Sequence, residues 1–136
     1  MKTERALLLL RLVAGGVFVA FGAGKFVNHA SELASFRAYS LPAPGIFVIA
    51  IGVIELVGGL LLIAGRLIRP AALVLAGDMV GAIIVSGVAR GEVISLTLAP
   101  AELVAMLVLL WAGAGAPSAM IPAWRKRWRT GPRATK

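Results

Sequence analysis

Four apolar runs, each close to the twenty or so residues that a helix needs to cross a bilayer, constrain this chain more than any other feature. They cover about residues 6–27, 44–65, 70–89 and 93–114, with short polar segments between them. Backbone amides in hydrocarbon must be satisfied within their own segment, so runs of this length are read as helices. The expected fold is all-α: a polytopic, four-transmembrane-helix bundle spanning about residues 1–116, followed by a basic tail at 117–136. Composition agrees, since 60% of the residues are hydrophobic and only 15% are charged. Mean hydropathy is +0.93. Lys2 and Arg5 before the first run imitate a signal peptide, but Arg11 interrupts the run and its length exceeds an h-region, so it is read as a retained span.

The turns support these boundaries. Pro42 and Pro44 open the second run, Gly65 suits the left-handed residue that closes it, and Pro70 fits the first turn of the third. Pro100 is read as standing near the start of the fourth. Residues 28–43 form the longest connection, where Leu33, Phe36 and Tyr39 recur every three positions. A short helix at the outer interface is expected there, with Ser31 as its N-cap, serving either as a lid over the bundle mouth or as a plain connector.

Orientation follows from the cations. Lys2, Arg5, Arg66, Arg69, Arg125, Lys126, Arg127, Arg129, Arg133 and Lys136 fall on one side, against Lys25, Arg37 and Arg90 on the other; with Arg11 inside a span they complete the fourteen. Both termini are therefore expected in the cytoplasm of a bacterial plasma membrane. The net charge of +8 collects where membrane topology requires it, so nucleic acid is not an expected partner. The tail Trp124-Arg125-Lys126-Arg127-Trp128-Arg129 reads as an anchor on anionic lipid. Absence of cysteine excludes thiol chemistry, and the single His29 builds no metal site.

Charges within the spans are the functional signal, because each costs about 2.5–3.5 kcal/mol to insert and needs a partner or a task. The first span carries Arg11-x3-Gly15-x2-Phe18-x3-Gly22-x2-Lys25 along one helical face. Glu55, Asp78 and Glu102 follow, one in each later span. Depth along the helices predicts an inner cluster of Arg11 with Glu55 or Asp78 and an outer contact of Lys25 with Glu102. Snorkelling of Arg11 and Lys25, a helix-start role for Glu102 just after Pro100, and a simple interhelical hydrogen bond for Asp78 are the alternatives. Gly16, Ala20 and Gly24, and Gly77 with Gly81, form small-xxx-small ladders expected at helix contacts. Gly52 and Gly59 flank Glu55 and are expected to leave room for a helix or a ligand at its carboxyl. Two cations against three carboxylates leave one acid that should hold a proton, and Glu55, the deepest, is the candidate proton carrier. Glu55-Leu56-Val57-Gly58 and Glu102-Leu103-Val104-Ala105 form a weak internal echo between spans of the same direction.

With these residues in view the chain resembles the DoxX family of small four-helix membrane proteins. The resemblance rests on Leu10-Arg11-Leu12, Gly16, Phe18, Gly22 and Lys25, on Leu41-Pro42, on Gly52-x2-Glu55-x2-Gly58-Gly59, on Gly65-x3-Arg69 and on Glu102-Leu103. It implies a non-autonomous membrane subunit that holds quinone or a similar lipid and serves an oxidoreductase partner, with no resident cofactor. A scaffold or assembly factor without catalysis is the alternative. The partners implied are the bilayer, that oxidoreductase and, as an option, a second copy of the chain.

Overall fold

The computed structural model describes residues 2–113; the tail expected at 117–136 lies outside them. Among the described residues the chain is helical throughout: α1 (Lys2–Val27), α2 (His29–Ala38), α3 (Pro44–Ala64), α4 (Ile68–Ala82) running on into a π-helical stretch (Ile83–Val88), and α5 (Val93–Ala112). Four of these helical stretches are long and apolar enough to cross a membrane: α1, α3, α4 with its π-helical continuation, and α5. The expected spans are recovered within a few residues at each end, and α2 occupies the longest connection.

Local chemistry sets the boundaries. Pro44 is at the first turn of α3, where its missing N–H costs nothing. Gly65 takes the left-handed conformation at φ 72°. Its N–H donates to Leu62, and the N–H of Arg66 donates to Leu61. These bonds satisfy carbonyls that the helix end would otherwise orphan. Two boundaries differ from expectation. The cap of α2 is Asn28, without a side-chain bond, and Ser31 lies inside the helix, where its carbonyl accepts from Ser35 Oγ at 3.3 Å. Pro100 lies inside α5 rather than at its start, because Glu92 and Val93 already begin the helix. Glu102 is therefore an interior residue, and the helix-start reading of its carboxyl falls.

The spans follow one another around a ring in the order α1, α3, α4, α5. The closest contact in it is α1 against α3. A Cβ on Gly22 would stand 2.6 Å from the backbone N of Leu56, and one on Gly59 would stand 2.7 Å from the carbonyl O of Gly15. Only hydrogen side chains allow the two backbones to come this near, as in other membrane helix pairs. The ladders expected to do this do not: nothing lies within 4 Å of a Cβ built on Gly16, Gly24, Gly77 or Gly81. The contact ridge runs instead through Gly15, Gly22, Gly52 and Gly59, one helical step round from the first ladder.

Apolar core residues gather toward the end of the bundle that carries the start of α1. Leu62, Leu75, Met106 and Leu109 are fully buried there. The half nearer α2 is built differently.

Candidate functional site

A cavity of about 490 Å³ opens between the spans in that half, with α2 across its mouth. Phe18 and Phe21 of α1, Phe36 of α2, Tyr39 at its C-cap, and Phe47 of α3 supply aromatic wall. Gly77 and Gly81 also line it, so the glycine face of α4 borders open volume instead of a helix. Phe36 of α2 and Tyr39, the residue that caps its end, meet at 5.4 Å between ring centroids with the rings tilted by 53°. The longest connection thus contributes Glu32, Phe36 and Tyr39 to the cavity lining.

The charged lining is lopsided. Among the described residues Lys25 is its one cation, against the carboxyls of Glu32, Glu55, Asp78, Glu92 and Glu102. Lys25 Nζ donates to Glu55 Oε2 at 2.7 Å, and both side chains are more than nine-tenths buried. The outer contact is thus Lys25 with Glu55, not with Glu102. The reason is the glycine seam: drawing α1 onto α3 at Gly22 brings the next turn of α1 across from Glu55, whereas Glu102 stands on another wall. Asp78 lies on α4 close enough to Glu55 for their carboxyls to interact. Oδ2 of Asp78 and Oε2 of Glu102 are buried without a hydrogen-bond partner among the described residues.

Arg11 does not join this group. It is buried, and forms no ion pair with Glu55 or Asp78. Its guanidinium packs instead at the C-terminal end of α3, where a Cβ on Gly65 would come within 2.8 Å of Nη1. A cation there meets the negative end of the helix dipole. The expected inner cluster is replaced by a cation on a helix end because Arg11 lies level with the last turn of α3, well away from the carboxyl-bearing half.

Five of the residues singled out from sequence, Phe18, Lys25, Glu55, Asp78 and Glu102, therefore line one cavity. Gly15, Gly22, Gly52 and Gly59 do not; they belong to the α1–α3 seam. The room beside Glu55 expected from Gly52 is taken by Lys25 and the Phe26 ring, whose Cε2 would lie 3.0 Å from an added Cβ.

Sequence reasoning missed the polar strip at the mouth. Ser95 Oγ donates to Glu92 Oε2 at 2.6 Å, Tyr39 Oη donates to Glu92 Oε1 at 3.2 Å, and the hydroxyls of Ser86 and Ser95 meet at 2.5 Å. Burial alone would push Glu92 up, but the hydroxyls of Ser95, Ser86 and Tyr39 outweigh it and hold the carboxyl below its ordinary range. Burial and the neighbouring Glu92 charge raise the Tyr39 phenol, which keeps its proton and donates it. Arg90 Nη2 donates to Ser40 Oγ at 3.0 Å, a second tie between the α2 end and the turn before α5. The signal available in sequence was the run Glu92-x2-Ser95 at the start of a span, a spacing of three that puts both side chains on one helical face.

The sequence pattern of the DoxX family matches residues 6–88. The chain belongs to the DoxX family. It is a multi-pass membrane protein, and the matched region carries Lys25, Glu55 and Asp78 but stops short of Glu92 and Glu102. An "Uncharacterized membrane protein Rv3486" of Mycobacterium tuberculosis is 31% identical over 129 residues, covering 81% of this chain and 76% of the relative. A Bacillus subtilis protein named "Putative oxidoreductase CatD" is 36% identical over 81 residues, covering 60% of this chain and 59% of that protein. No solved structure matches this DoxX chain.

Proposed function

We propose that this DoxX protein is a non-autonomous membrane subunit that holds a quinone, or a lipid of similar head group, in the cavity beneath α2 and serves an oxidoreductase partner. The observation that carries the reading is an aromatic-walled cavity at membrane depth into which carboxyls from three spans converge. Its volume of about 490 Å³ falls in the range of about 300–1,000 Å³ usual for small-molecule sites. A flat aromatic head group fits between Phe and Tyr rings. Ligand oxygens would meet the Lys25–Glu55 pair and the carboxyls of Asp78 and Glu102. The name of the Bacillus subtilis relative is consistent with redox work.

Quinone chemistry moves protons together with electrons, and an oxidoreductase partner would exchange the electrons. This chain's contribution is to bind the head group and to hold protons at carboxyl oxygens beside it. Glu55, the candidate proton carrier, is the carboxyl that Lys25 compensates. Asp78 and Glu102 make no ion pair of this kind among the described residues. While the Lys25–Glu55 pair is ionised, charge balance in a low-dielectric cavity therefore assigns the held protons to them, and Glu55 takes one up only when the pair is broken. The lysine and arginine distribution supports placing the protein in a bacterial plasma membrane with both termini in the cytoplasm.

Gly77→Phe tests the reading, because that position lines the cavity and has nothing within 4 Å of its Cβ. A ring there fills the cavity without pressing on a neighbouring helix. Protein purified in mild detergent should carry quinone detectable by its reduction-dependent ultraviolet absorbance, and the Gly77→Phe protein should not. Wild-type protein that carries no quinone, and takes up none from quinone-doped nanodiscs, would leave the scaffold reading in place.

A further inference from the structure

Ser86, Ser95 and Glu92 are not needed to hold a ligand, yet they form a continuous hydrogen-bonded strip from the bundle mouth into the cavity wall. Ser86 and Ser95 are 4% and 6% exposed. Glu92 stands at the mouth, beside the exposed turn Ala89–Gly91. All three line the cavity that also holds the carboxyls of Asp78 and Glu102. We propose that the Glu92–Ser95–Ser86 strip is the proton-entry path from the aqueous phase at the α2 end to the buried carboxyls of Glu102 and Asp78.

Three features carry this. First, the hydroxyls are already threaded in sequence: Ser95 donates to Glu92, and the Ser86 oxygen lies 2.5 Å from that of Ser95 while its own hydroxyl rests on the Ala82 carbonyl at 2.8 Å. Second, the strip points at the acids. Ser95 and Glu102 are seven residues apart on one face of α5, about 10.5 Å along the axis at about 1.5 Å per residue. The Glu102 side chain leans back toward the helix N-terminus, hence toward Ser95, so about two waters at hydrogen-bond spacing of about 2.8 Å close the remainder. A polar-lined cavity of about 490 Å³ has space for them. Third, the backbone is arranged for it. The stretch Ile83–Val88 is π-helical, and Gly87 lets α5 come close enough that an added Cβ would lie 3.0 Å from Leu96 and 3.2 Å from the Ser95 carbonyl. A π-turn of this kind rotates the following residues relative to an α-helix, and such turns occur frequently at functional sites.

The proton balance is simple. A proton from water forms an O–H bond at Glu92 Oε2; Glu92 then donates to Ser95, whose own proton passes to Ser86. Ser86, whose hydroxyl turns from the Ala82 carbonyl, releases its proton to water in the cavity, and that water protonates Glu102 or Asp78. One proton enters and one is bound, and every hydroxyl is left protonated. Tyr39, bonded to the other Glu92 oxygen, makes α2 the cover of this entry.

The path does not depend on what the cavity binds, so its test needs no quinone. Infrared spectra of the protein in nanodiscs, taken after a switch from H₂O to D₂O, follow the protonated-carboxyl stretch as it shifts. The pH is lowered until the band is present, and the band is assigned by its loss in Glu102→Gln and Asp78→Asn. Ser95→Val, isosteric with Ser95→Thr but without the hydroxyl, should slow the exchange of that band at least tenfold, and Ser95→Thr should restore the wild-type rate. Glu92→Gln should slow it comparably. Ser95→Val exchanging as fast as Ser95→Thr, with both folded by circular dichroism, would overturn the proposal even if quinone binding were demonstrated.

Discussion

Replacing Lys25 and Glu55 singly and together should reveal a coupling of about 1–2 kcal/mol between them, equivalent to roughly 5- to 30-fold in the folding equilibrium. The structural basis is the 2.7 Å contact between side chains that are 9% and 6% exposed. In a water-soluble protein, breaking such a pair on one side costs about 3–5 kcal/mol. Two features lower the figure here. Helices separated in lipid still find partners for polar groups, and measured couplings in membrane bundles average about 0.6 kcal/mol with a maximum near 1.7. Lys25 is also two residues from the end of α1, so in the separated helix it reaches the head groups and sheds part of its cost. Charge on both partners and near-complete burial place this pair toward the top of that range. Lys25→Met, Glu55→Gln and the double variant, unfolded by a rising mole fraction of sodium dodecyl sulfate and followed by circular dichroism, supply the cycle. Each single variant should be less stable than the double variant would suggest by addition. A coupling energy indistinguishable from zero would refute the pairing as a source of stability and leave it as a contact made for other reasons.

Glycine contacts give a sharper contrast. Gly22→Ala should cost about 1–3 kcal/mol by forcing α1 from α3, since its Cβ meets backbone at 2.6 Å, while Gly16→Ala, with nothing within 4 Å, should be neutral or gain up to about 1 kcal/mol of helix propensity; the same denaturation assay orders them. Arg11→Leu should lose about 1–2 kcal/mol by removing a buried cation from the end of α3, whereas Arg66→Leu in the exposed turn should stay within about 0.5 kcal/mol, and equal midpoints would mean that the α3 end does not need the guanidinium. Single cysteines at Thr3 and Ser35, both in a chain that has no other cysteine, should label with a membrane-impermeant maleimide from opposite faces, Ser35 from outside; labelling of both from one face would sink the four-span topology.

The spans were legible because their cause is local. A run of apolar residues of bilayer length has one way to satisfy its amides, and Pro44 and Gly65 act within a single turn. Charged residues inside the spans were equally visible, since their cost of burial does not depend on which neighbour they meet. What they meet was less legible. Depth along a helix predicted Lys25 against Glu102, and rotation about the helix axis, which no single segment reveals, gave Lys25 to Glu55.

Gly16, Ala20 and Gly24 show the same limit. Their spacing is that of a contact ridge, yet the ridge lies at Gly15 and Gly22, because backbone approach is decided by both surfaces and α3 offers Gly52 and Gly59 there. Ser86 and Ser95, nine residues apart and on either side of a turn, have no local reason to be joined; only the π-helical stretch and the close packing at Gly87 bring their hydroxyls together. The amino-acid sequence by itself thus determined the number of spans, their limits and which residues would be costly to bury. The tertiary structure alone decided that Glu55, Asp78 and Glu102 share a cavity, which cation serves them and what leads to them. Hydrophobicity acts on each segment in turn, whereas ion pairs and cavities depend on the rotation and separation of helices that meet only after folding.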